Sequence, residues 1–191
     1  NYPPEPFPLY APDDNIRRVD YYTYFTWGNT VDYDPFSSFD FTLQYSPDSL
    51  FEEFVTSVAG IMDTFLTIPT DTLELAGENL YWRVLAIDDD SLITIGGIPE
   101  PEVRKITIVT PGDANGDGQV LGSDVTYLVR YFKGINPPPD PLLAGDTNSD
   151  CELRGNDVTY LVQYFKGYTQ LPVRGDCEQP PMLLKSGDYS R

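Results

Sequence analysis

The sequence predicts an all-β sandwich followed by a small α-helical unit. Short runs of β-branched and aromatic residues, separated by turn residues, recur through the first 110 positions. Beyond them, residues 112–134 return almost unchanged, 33 positions on, as residues 145–167. The two copies agree at 15 of 23 positions without a gap. Each copy ends in apolar residues at helical spacing.

Four runs in the first part read as strands: Tyr22 to Trp27, Phe39 to Tyr45, Leu80 to Ile87, and Val103 to Val109. Several strands at this spacing over about 100 residues make a two-sheet sandwich. We place this domain at 1–110, with a proline-rich segment at its N-terminus. Trp27, Trp82, Val84 and Ala86 are assigned to its core and given no chemistry. Asp88-Asp89-Asp90 reads as a charged loop, with a further cation site as the alternative.

No helix is expected to lead into the repeat, because Thr110-Pro111-Gly112 closes the last strand. The first copy then sets Asp113, Asn115, Asp117 and Asp124 at positions 1, 3, 5 and 12 of a loop, with Gly118 at position 6. The second sets Asp146, Asn148, Asp150 and Asp157 at the same positions. This is the ligand spacing of an EF-hand calcium loop: a hard ion that takes six to eight oxygens draws a short loop around one point. Gln119 and Glu152, at position 7, would contribute backbone carbonyls, and water would complete the shell at Leu121 and Arg154, giving two calcium ions. The plainer alternative is a pair of Asx turns capping two helices.

Cys151 stands where the first loop has Gly118. A non-glycine residue in the left-handed region costs roughly 1 kcal/mol. A disulfide to Cys177, the only other cysteine, would close a loop of about 27 residues and offset that cost by roughly 3 kcal/mol. We expect this bridge, and with it an oxidising compartment; two free thiols are the alternative.

The helices present Val125, Leu128, Val129 and Phe132, then Val158, Leu161, Val162 and Phe165, as stripes expected to pack on each other. Tyr127, Tyr131, Tyr160 and Tyr164 flank them as further core or as a contact surface. So small a core explains a need for metal in folding. The outward faces, Thr126, Arg130, Lys133 and Thr159, Gln163, Lys166, are near-copies that would let one partner bind in two orientations. Asn136 to Pro141 reads as a stiff, extended linker.

On these residues the region 112–177 resembles the dockerin type I family, a duplicated calcium loop with one helix per copy. That resemblance implies calcium-dependent folding and docking on a cohesin module of a scaffold. The pair before the last ligand, often Ser-Thr in that family, is Gly122-Ser123 and Gly155-Asn156 here. The first 110 residues are similar to a fibronectin type III or immunoglobulin-like domain. Phe25-Thr26-Trp27 matches its second strand, Phe41 to Ser46 its third and Tyr81 to Val84 its sixth, with Leu80 where a corner tyrosine is usual.

Twelve basic and 30 acidic residues give a formal charge of −18, which argues against nucleic acid or an anionic membrane as partner. No apolar run approaches the roughly 20 residues of a bilayer span. Without histidine, the usual acid–base partner, the Ser-His and Cys-His pairs and His-ligated zinc are absent. The chain is therefore expected to be non-catalytic. It opens at Asn1 without a signal-peptide core, and we expect a processed or excised product.

These features predict a secreted or cell-surface calcium-binding assembly protein whose partner is either copies of itself or a cohesin-like receptor. In the first case residues 178–191, with the apolar run Met182 to Leu184, would add a strand to a neighbour, or else fold back on their own chain. In the second, the repeat would dock a secreted, polysaccharide-degrading protein on a scaffold.

Overall fold

The computed structural model describes residues 2–34 and 37–177. Two sheets form in the first part of the chain. One has three strands, β1 (Leu9–Ala11), β3 (Tyr22–Trp27) and β6 (Phe65–Pro69), with β3 in the middle. The other runs β2 (Ile16–Arg18), β9 (Arg104–Ile108), β7 (Asn79–Asp88), β4 (Phe39–Ser46), β5 (Thr56–Ile61). β8 (Ile93–Ile95) pairs with the far end of β7, so β8 and β9 share one edge and the chain leaves the sheet between them.

Sequence alternation sets this arrangement. In β3 Thr23, Phe25 and Trp27 are buried while Tyr22 and Tyr24 face out, the two-residue period of a half-buried strand. β7 contributes Leu80, Trp82, Val84 and Ala86, all fully buried. Edge-to-face ring contacts join the sheets, Phe25 to Trp82 at 5.1 Å and Trp27 to Phe41 at 5.6 Å between centroids. The two sheets thus enclose one apolar core. The four strands expected from sequence are found, and Leu80 is buried at the corner.

A five-residue helix, α1 (Thr70–Glu74), lies between β6 and β7 and was not expected from the sequence. Thr70 is held by a hydroxyl contact with Thr23 at 2.9 Å.

After β9 the chain passes without a helix into the repeat, which forms α2 (Gly122–Phe132) and α3 (Gly155–Phe165). Just beyond the Asn136 to Pro141 linker, which holds no helix, Leu142–Gly145 is a 3-10 helix. Its Leu143 and Ala144 pack on Val19 and Val109 of the strand-rich part, and the Ala144 carbonyl accepts the Gly112 N–H at 2.8 Å.

The helix stripes are only partly as expected. Leu128 and Leu161 are fully buried, with Ala114, Val125, Val158, Leu153, Tyr127 and Tyr164 around them. Phe132 and Phe165, however, are each 44% exposed and lie beside Tyr131 and Tyr164 rather than in the core. Two eleven-residue helices bury a patch shorter than the full stripe, so the last turn of each projects past it.

Residues 178–191, where an assembly strand was expected, lie outside the described residues.

Candidate metal centre

Each loop wraps its backbone around its own carboxylates. Asp113 accepts the N–H of Asp117 with one oxygen and that of Gly118 with the other, both at 3.0 Å. In the second loop Asp146 does the same for Asp150 at 3.2 Å and Cys151 at 2.8 Å. Asn115 accepts from Asp117 at 2.8 Å, and Asn148 from Asp150 at 2.9 Å. Asp117 and Asp150 in turn accept the N–H of Gln119 and Glu152, each at 3.0 Å.

The position-12 aspartates sit at the third residue of each helix and tie helix to loop. Asp124 accepts the N–H of Leu121 at 2.8 Å and of Asn115 at 3.0 Å. Asp157 accepts from Arg154 at 2.7 Å and Thr147 at 3.0 Å. A carboxylate here also meets the positive end of the helix dipole.

The turns need left-handed backbone at positions 4 and 6. Gly116 and Gly118 have φ of 73° and 84°; Ser149 and Cys151 take the same conformation at 65° and 67°. The expected disulfide is present, with Cys151 and Cys177 Cα atoms 5.4 Å apart.

Asp113, Asp124, Asp146 and Asp157 are at most 4% exposed, and no salt bridge among the described residues involves them. Burial pushes the carboxyls of Asp124, Asp146 and Asp157 above the ordinary range, against the pull of their backbone hydrogen bonds. Asp150, in contrast, is held low, first by the Asn156 amide at 2.9 Å. Carboxylate oxygens of Asp146, Asp150 and Asp157 lie within 4.8 Å of one another, so one ion at calcium–oxygen distances of roughly 2.3–2.6 Å reaches all three. Rich in carboxylates, two of them buried in each loop, and built from oxygen alone, the donor set fits a hard divalent cation.

Two loops, each followed by a single helix and joined without an incoming helix, decide the comparison. Residues 111–166 match the dockerin type I domain. The match takes in both loops and both helices of the dockerin region and stops short of the strand-rich part. Dockerin type I domains bind calcium and dock on cohesin partners. No curated protein matches this chain. No helix among the described residues is long and apolar enough to cross a membrane.

Sequence reasoning named ten loop positions and, apart from the disulfide, none of the residues that support them in the structure. Ser149 had a signal, since it aligns with Gly116. Asn156 and Thr147, whose hydroxyl donates to the Asp157 carbonyl at 2.7 Å, had none. Glu152 turns its side chain to Arg154 in an exposed ion pair, leaving its carbonyl for the loop.

Proposed function

We propose that this chain is a non-catalytic extracellular protein whose dockerin region, held by two calcium ions, docks the attached β-sandwich on a cohesin-like receptor. The observation that carries it is the pair of carboxylate loops inside the dockerin match, each with two buried aspartates that no salt bridge among the described residues neutralises. Asp113, Asn115, Asp117 and Asp124 with the Gln119 carbonyl hold one ion. Asp146, Asn148, Asp150 and Asp157 with the Glu152 carbonyl hold the other. Bound calcium supplies the positive charge these buried carboxylates lack and so completes folding.

The exposed faces of the helices supply the contact surface. Thr126, Arg130 and Lys133 on α2, and Thr159, Gln163 and Lys166 on α3, all stand in solvent with the sandwich in place. The β1-β3-β6 and β2-β9-β7-β4-β5 strand orders support a fibronectin type III-like reading of the sandwich, a fold used more for spacing and binding than for catalysis. The disulfide supports an oxidising, extracellular setting.

The test is calorimetric titration of the chain with type I cohesins, in millimolar calcium and in chelator. Binding only with calcium supports the reading. Failure to bind any cohesin, with large calcium-dependent species in sedimentation velocity, would favour a homopolymer instead.

A further inference from the structure

Residues 171–177 lie beyond the dockerin match, yet they connect the second loop to the sandwich. At one end Cys177 is bonded to Cys151 at loop position 6, and the Val173 carbonyl accepts the Ser149 hydroxyl at 2.7 Å, at loop position 4. Both left-handed residues of the second loop are therefore fastened to this segment. Gly175 lies against the same place: a methyl group there would fall 2.9 Å from the Cys177 sulfur and 3.1 Å from the Ser149 carbonyl.

At the other end stands Arg174, whose side chain is 3% exposed. Its guanidinium donates to Asp71 at 2.7 Å and Glu74 at 2.9 Å, both on α1, and to the Val109 carbonyl at 2.9 Å. Glu74 also accepts the Thr110 hydroxyl at 3.1 Å. A buried arginine is retained only where fixed acceptors replace its hydration. These come from the helix that carries the chain from β6 in one sheet to β7 in the other and from the exit of the last strand, so Arg174 grips the sandwich itself.

We infer that residues 171–177 are a strap through which calcium in the second loop stabilises the sandwich, with Arg174 as the positioning residue and the disulfide as the anchor. This rests on the calcium reading above. Ordering of the loop fixes Ser149 and Cys151; these hold Val173 and Cys177; and Arg174 between them is delivered to α1 with less backbone entropy left to lose. An unanchored strap would leave the junction to the small Val19, Val109, Leu143, Ala144 contact and to the approach of Arg17 and Glu78 to the first loop.

The chain carries its own reporters. Both tryptophans, Trp27 and Trp82, lie in the sandwich core, whereas α2 and α3 provide nearly all the helix. Thermal unfolding of the full chain, followed by tryptophan fluorescence and by far-ultraviolet helical signal, with calcium and with chelator, reads the two parts separately. Both transitions of the native chain are expected to rise by several degrees with calcium. Arg174→Gln leaves partners that are 68% and 36% exposed and can rehydrate, so it should fold. The pair Cys151→Gly, Cys177→Ser gives the second loop the glycine of the first and releases only the anchor. In both variants the helical transition should keep its calcium shift while the tryptophan transition loses it.

If the native tryptophan transition ignores calcium while the helical one responds, the strap idea is wrong and the calcium reading survives. Retention of the native tryptophan shift in both variants would equally overturn it. If neither signal responds in the native chain, the calcium reading fails and the strap with it.

Discussion

The Asp157 carboxylate accepts the Thr147 backbone N–H at 3.0 Å, ten positions back in the chain, and this bond closes the second loop onto its helix. The Thr147 hydroxyl reinforces it from the same side, on the Asp157 carbonyl. Burial meanwhile pushes the Asp157 carboxyl up, so its charge is costly until a cation arrives.

Asp157→Asn should therefore cost much less in chelator than in calcium. In chelator the relief of a buried charge is set against the loss of one backbone acceptor, of Thr147 or Arg154, so stability should change by no more than about 1 kcal/mol. In calcium it removes a charged ligand, and the number of bound ions should fall from two to one. Denaturant unfolding in both conditions, with calcium stoichiometry by calorimetry, checks this. Destabilisation in chelator by as much as in calcium would mean the side chain serves packing alone.

Opening the disulfide should cost about 3–4 kcal/mol, the chain-entropy value for cysteines 26 positions apart. Part of that can be returned by choice of residue. Cys151 has φ of 67°, so with Cys177→Ser in the background glycine at 151 should be more stable than alanine by roughly 1 kcal/mol. Equal stability of the two variants in guanidinium unfolding would show that the loop relaxes away from this conformation.

What could be read from the sequence tracks how local the determining contact is. Tyr22 to Trp27 and Leu80 to Ile87 announce themselves because alternation along one strand decides which side is buried. β1, β2 and β8 hold three residues each, too few for a pattern, and β5 contains Gly60 at φ 74° beside a register shift. The two loops were legible because their spacing is local and occurs twice. Arg174 was not, since its acceptors lie 65 to 103 positions away and nothing around Val173-Arg174-Gly175 marks it. Phe132 and Phe165 were misplaced because helical spacing gives a face, not where along that face the partner ends.

One loop of the sandwich should hold against acid until the pH falls below the ordinary carboxyl value. Asp48 is held below the ordinary 3.8, first by the Leu50 N–H at 3.0 Å and next by the Glu52 N–H at 2.8 Å. A depressed carboxyl contributes stability that is present above the unfolded value and is lost as pH falls through the lower folded one. The amide signals of Leu50 and Glu52 should shift together below pH 3.8, and Asp48→Asn should remove that step. Midpoints at or above 3.8 in a nuclear magnetic resonance titration would contradict the assignment.

Docking should tolerate the loss of either helix face but not of both. The two exposed faces share Thr126 with Thr159 and Lys133 with Lys166, and differ at Arg130 and Gln163. Where one receptor site accepts either face, removing one orientation of two equivalent ones weakens affinity by only about twofold, or about 0.4 kcal/mol. Thr126→Ala with Lys133→Glu, or Thr159→Ala with Lys166→Glu, should thus leave cohesin affinity nearly intact. Combining all four should weaken it by at least about 100-fold, since the lysine and threonine that the two faces share are then lost from both. Calorimetric titration in calcium separates the cases. A large loss from one pair alone would mean that binding runs through a single orientation, and would name the helix that carries it.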